Sequence, residues 1–125
     1  MNKEQRLADE QKQNIRKNLF RKLVATARNI ISNEVGLSVG CWRMDRIIIW
    51  LEFETNEKFY FPYLRKYLDR IRAIPSGKER LYCSREALRR YDEDLNEINL
   101  RFHDKIIDDC FLIIDRYGRI NDERK

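Results

Sequence analysis

The chain is 125 residues long, 42% hydrophobic and 38% charged, with a formal net charge of +5, which is enough chain for one core and hardly for two. Two prolines and four glycines argue against a flexible linker, and the longest apolar run, Ile47 to Leu51, is far short of the roughly 20 residues that span a bilayer. Three cysteines, Cys41, Cys83 and Cys110, stand far apart without a Cys-x-x-Cys pair, which argues against both a disulfide framework and a zinc site.

The first dozen residues are polar, with Lys3, Glu4, Arg6, Asp9 and Glu10, and lack the apolar core of a signal peptide. Residues 1–12 are therefore expected to fray, residues 13–118 to form a single helical domain, and residues 119–125 to be a tail. A cytoplasmic location is the expectation. Leu19, Phe20, Leu23, Val24, Ala27, Ile30 and Ile31 give the first helix a broad apolar face, with Lys17, Arg21 and Arg28 opposite. Asn33 and Gly36 mark its end.

A second helix is expected from Trp42 to Phe53. Its run Ile47-Ile48-Ile49-Trp50-Leu51 favours strand by propensity, but no partner strand is evident, so a helix enclosed by the others fits better. Pro62 suits the first turn of a third helix, where its missing N–H costs nothing. Tyr60, Leu64, Tyr67, Leu68 and Ile71 supply that helix's face, and Pro75-Ser76-Gly77 breaks the chain after it.

Ser84 to Tyr117 contains neither proline nor glycine. Leu88, Tyr91, Leu95, Ile98, Phe102, Ile106, Cys110 and Ile113 recur at steps of three or four, one side of a long helix. Ser84 is placed to be its N-cap, Glu86 and Arg116 complement the two ends of its dipole, and Gly118 is a C-terminal stop. Glu86 with Arg90 and Glu97 with Arg101 are spaced to pair, each exposed pair contributing about 0.3–0.5 kcal/mol. Ile107, Phe111 and Ile114 add a second apolar face, which predicts that the C-terminal half is sandwiched between neighbours and leaves a homodimer open. The fold class expected is all-α, an antiparallel bundle of about four helices with long first and last members.

Several residues resemble the pattern of a family of small bacterial proteins classed as a domain of unknown function. They are Glu34-Val35-Gly36-Leu37, Gly40-Cys41, Ile74-Pro75-Ser76-Gly77, Arg80, Ser84 with Ala87 and Leu88, Asp92, and Phe102 to Cys110. The resemblance covers about residues 24 to 117 and implies a bacterial, cytosolic, mostly helical domain with no established activity. Relatives carry an acidic stretch just before the Pro-x-Gly turn, where this chain has Asp69-Arg70-Ile71-Arg72.

Charge is the functional clue. Residues 65 to 90 hold nine bases against three acids, and residues 91 to 115 hold eight acids against two bases, a dipolar field that orients a charged partner. Arg65, Arg70, Arg72, Lys78, Arg80 and Arg89 are the candidate partner-binding residues. The expectation is a protein partner, with an immunity protein that plugs a toxin's active site as one concrete version. The alternative is sequence-nonspecific nucleic-acid binding, with Tyr63, Tyr67 and Tyr82 interleaving the arginines as stacking platforms. No membrane partner is expected. Asp104 with Asp108 and Glu93 with Glu97 sit a turn apart as a hydrolase or metal site would place them. No phosphate loop, nucleophile elbow or His-Glu-x-x-His motif accompanies them, Leu100 stands where a Glu-x-x-His pairing with His103 needs glutamate, and no enzyme activity, metal or cofactor is expected.

Overall fold

The computed structural model describes residues 2–119. Among them every regular element is helical: α1 (Lys3–Ile31), α2 (Leu37–Thr55), α3 (Pro62–Ile71), a short 3-10 segment (Gly77–Tyr82) and α4 (Arg85–Tyr117). The long first and last helices match the expectation, and so does the helical state of residues 46–53.

α1 begins at Lys3, inside the stretch expected to fray. Asn2 caps it by accepting from the Gln5 amide at 2.7 Å, and Lys, Glu, Gln, Arg, Leu and Ala, all strong helix formers, fill its first turns. Every described residue from Asn2 to Ile15 is nonetheless exposed. Asn33, in the left-handed conformation, turns the chain after α1. Of the expected tail, residues 120–125 lie outside the described residues.

α2 starts at Leu37, earlier than the expected Trp42, with Gly36 at its N-cap. Gly40 allows it to lie close to α1: a Cβ there would sit 2.4 Å from the Ile30 Cγ1 atom. At the far end of α2, Arg16 of α1 donates from Nε and Nη2 to the Glu54 carbonyl, at 3.1 and 2.6 Å. Pro62 opens α3 as expected. Tyr60 falls outside that helix and is exposed, whereas Leu64, Tyr67, Leu68 and Ile71 are buried.

α1 packs chiefly on α2 and α4, and α3 chiefly on α4. Leu23, Val24, Ala27, Cys41, Met44, Leu51, Tyr67, Leu68, Ile106, Cys110 and Ile113 form the centre of one core. At one end Phe20 stacks on Tyr117 with ring centroids 4.9 Å apart, and Phe59 meets both rings edge-on. α3 has no cap from its own neighbours in sequence. Its free amides at Tyr63 and Leu64 instead donate to one carboxylate oxygen of Asp109 on α4, at 3.0 and 2.8 Å. Asp109 is 2% exposed and serves as a cap delivered from another helix, where the positive end of the α3 dipole favours a carboxylate.

Two packing expectations need correction. α2 is not enclosed: Ile49, Trp50 and Phe53 are exposed, because Met44, Ile48 and Leu51 take the inward face and a core this small has no fourth neighbour for the other. The α4 seam is buried only at Ile106, Cys110 and Ile113, while Leu88, Tyr91, Leu95, Ile98 and Phe102 are half-buried. In the second face of α4, Ile107 and Ile114 are half-buried against the core and Phe111 is exposed.

Candidate interaction surface

The hinge between α3 and α4 is built by four residues far apart in chemistry. Gly77 takes a positive φ of 58°, the left-handed turn that glycine adopts without steric cost. The 3-10 segment then carries Arg80 over to α4, where its guanidinium meets both carboxylate oxygens of Asp92 at 2.8 and 3.2 Å. This two-pronged contact holds the Asp92 carboxyl below its ordinary range. Ser84 caps α4 by accepting from the Ala87 amide at 3.1 Å.

The six candidate residues divide at this point. Arg65 reaches Asp45 on α2 at 3.3 Å, Arg72 reaches Asp69 at 3.5 Å and Arg80 is held by Asp92, so much of their charge is balanced within the chain. Arg70, Lys78 and Arg89 are exposed and form no ion pair among the described residues. Arg89 shares a groove with Arg80, Arg85, Leu88, Asp92, Glu93 and Asn96, whereas Arg70 faces Tyr91, Asp94, Glu97 and Arg101. The structure thus does not gather all six around one point.

Beside the hinge, Val39 and Trp42 of α2, Ile71 and Ile74 at the end of α3, Pro75, and Leu95 of α4 line an apolar groove of about 310 Å³. It adjoins the half-buried part of the α4 seam.

The proposed stacking row of tyrosines is absent as a row. Tyr67 is fully buried and donates its hydroxyl to Asn99, Tyr63 is half-buried beneath Lys105, and Tyr82 alone of the three is open, at 92% exposure.

Cys41 and Cys110 are buried. Burial pushes both thiols up, Cys110 to about 12. Cys83 is half-exposed, and His103 lies on the surface with Nδ1 3.1 Å from Asp104. Among the described residues no group of three or more His, Cys, Asp or Glu side chains is arranged to hold a metal ion.

Sequence reasoning missed a second basic surface. From residue 11 to residue 33, α1 and its exit carry six bases and no acid, a signal legible in the chain. Lys22 from this run lines a groove between α1 and α2 with Arg43 and Arg46.

The profile of the family described as protein of unknown function (DUF2489) matches residues 1–113. The chain belongs to this family. The DUF2489 match spans α1, α2, α3, the hinge and most of α4. No curated protein and no solved structure matches the chain. Of the residues quoted for the resemblance, Gly36 is the N-cap of α2, Gly40 admits α1, and Gly77, Arg80, Ser84 and Asp92 together form the hinge.

Proposed function

We propose that this DUF2489 protein is a bacterial cytoplasmic docking protein that binds another macromolecule, a protein, at the hinge between α3 and α4. Its helices then make an antiparallel bundle of four, with the 3-10 segment as part of the hinge. The observation that carries the reading is the apolar groove of Val39, Trp42, Ile74, Pro75 and Leu95, in a hinge region that also holds the unpaired cations Arg70 and Lys78. An apolar floor with charged groups around it is the anatomy of a protein interface, where buried apolar anchors contribute affinity and rim charges set orientation and approach. A partner with an acidic rim fits, and a toxin masked by its immunity protein is one case. No catalytic role is assigned to the exposed carboxylates of α4: His103, the base beside Asp104 at 3.1 Å, lies on the open surface with them.

The test is affinity capture from the native host, with and without nuclease, by the wild-type chain and by an Arg70→Glu/Lys78→Glu/Arg89→Glu variant. A protein species captured by the wild type, retained after nuclease and lost with the variant is the expected result. Capture that the variant leaves unchanged rejects this surface. Capture that nuclease abolishes and that falls steeply with salt favours the nucleic-acid alternative instead.

A further inference from the structure

The outward face of α2 runs from the hinge groove, which Val39 and Trp42 line, to the far end of the helix. Val39, Trp42, Ile49, Trp50 and Phe53 lie along one side of α2 and form a ridge, with Trp42 half-buried and Arg46 within the row. Ile49 is 52% exposed, Trp50 63% and Phe53 84%. Both tryptophans of the chain stand on this ridge. Exposed apolar side chains clustered on one helix face mark an interaction site, unlike scattered single ones.

Cations gather beside the first part of the ridge, while Glu52 and Glu54 adjoin Phe53 at its other end. Lys22, Arg43 and Arg46 are exposed, line the groove of about 380 Å³ between α1 and α2, and form no ion pair among the described residues. Arg46 also borders the groove on the other flank. α2 has three acids, and two are engaged elsewhere: Asp45 is buried against Arg65, and Glu52 accepts from the Phe59 amide. Glu54 is half-buried at the end of the helix, where Arg16 reaches its carbonyl.

These features select among occupants. A second copy laid on the face about a twofold axis would bring Arg43 and Arg46 towards their own counterparts, which opposes association. A row of exposed Trp, Phe and Ile with Arg46 within it and Lys22 and Arg43 beside it matches a flat anionic surface instead: the rings enter the headgroup boundary and the cations meet the phosphates. We propose that the outward face of α2 docks this protein on an anionic lipid bilayer. It would lie on the surface rather than cross it, since no helix of the described residues is long and apolar enough to span a membrane. The sequence-based expectation of no membrane partner rested on the lack of a spanning run, which does not bear on surface docking.

The test uses the full chain and two sets of vesicles, phosphatidylcholine alone and equal parts phosphatidylcholine and phosphatidylglycerol, read by co-sedimentation and tryptophan emission. The anionic vesicles are expected to sediment the protein and shift its emission to the blue, with neutral vesicles at least about tenfold weaker. Trp50→Ala/Phe53→Ala and Arg43→Glu/Arg46→Glu variants, both altered only at exposed positions, are expected to lose about tenfold or more in vesicle affinity while keeping the wild-type helical spectrum. No binding to anionic vesicles, equal binding to both kinds, or binding unchanged in both variants overturns the proposal. A dimer in solution that the Trp50→Ala/Phe53→Ala variant dissolves also overturns it, in favour of a second copy.

Discussion

Replacing Asp109 by alanine removes the acceptor for two amides at the start of α3, Tyr63 and Leu64, which lie 3.0 and 2.8 Å from the same oxygen. The Leu64 bond is buried, so water does not readily replace the lost partner. Leaving a buried donor without an acceptor costs about 1–3 kcal/mol. Relief of the cost of burying a carboxylate offsets part of the loss of two bonds, so a net loss of about 1–3 kcal/mol is expected, or roughly 4–12 °C in melting temperature for a domain of this size. Asp109→Asn keeps a carbonyl oxygen in the same place and is expected to lose much less. Both variants also differ from the wild type in pH dependence, since neither titrates at position 109. Burial raises the Asp109 carboxyl above its ordinary value of 3.8, outweighing the two amides and Arg116, which lower it. The folded chain therefore holds this proton more tightly than the unfolded chain. That contribution to stability is complete below the unfolded value and is lost as pH rises through the folded value. Asp109→Asn has no such titration, so its melting temperature relative to the wild type rises across the same window. Thermal melts followed by circular dichroism from acid to neutral pH read both effects. An alanine variant that melts with the wild type at neutral pH, or an asparagine variant as damaged as the alanine one, refutes the capping role.

Gly40→Ala sets a methyl against the buried Ile30 and is expected to destabilise by about 1–3 kcal/mol in denaturant titration, despite alanine's better helix propensity. Gly36→Ala, with nothing within 4 Å of the added methyl, is the matched control and should lose less. Arg80→Ala releases the 3-10 segment from Asp92; limited trypsinolysis should cut faster after Lys78 while the cooperative melt of the core moves little. A thiol reagent applied to the native chain at neutral pH should label Cys83 alone, because Cys41 and Cys110 are buried and their thiols are pushed up, and denaturant should expose all three.

What could be read without coordinates followed from local rules. The Ser84 cap, the uninterrupted course of α4, Pro62 at the head of α3 and the Glu97–Arg101 pair at 2.9 Å depend on residues within one turn of each other. Asp109 looked like one more acid of a solvated block because its partners, Tyr63 and Leu64, lie more than forty positions away and only the packing of α3 on α4 joins them. Arg80 and Asp92 meet because Gly77 turns the chain back, a geometry that charge counting over a segment does not contain. The run from Ile47 to Leu51 told of apolarity on every side, but how many neighbours were available to cover it is a property of the whole fold. In the candidate basic site the bases and the i,i+3 spacing of Asp69 and Arg72 were visible in sequence, whereas the partners of Arg65 and Arg80, 20 and 12 positions away, were not.

α4 is a single hydrogen-bonded rod of 33 residues, about 50 Å from end to end, yet its fully buried side chains all fall between Ile106 and Ile113. Its last three turns are locked to the body, while its first four are tethered at the margin. Amide exchange along this one helix is therefore expected to slow progressively from Ser84 towards Ile113. Anything that grips the hinge pulls on the loose end of a lever whose fulcrum is the core.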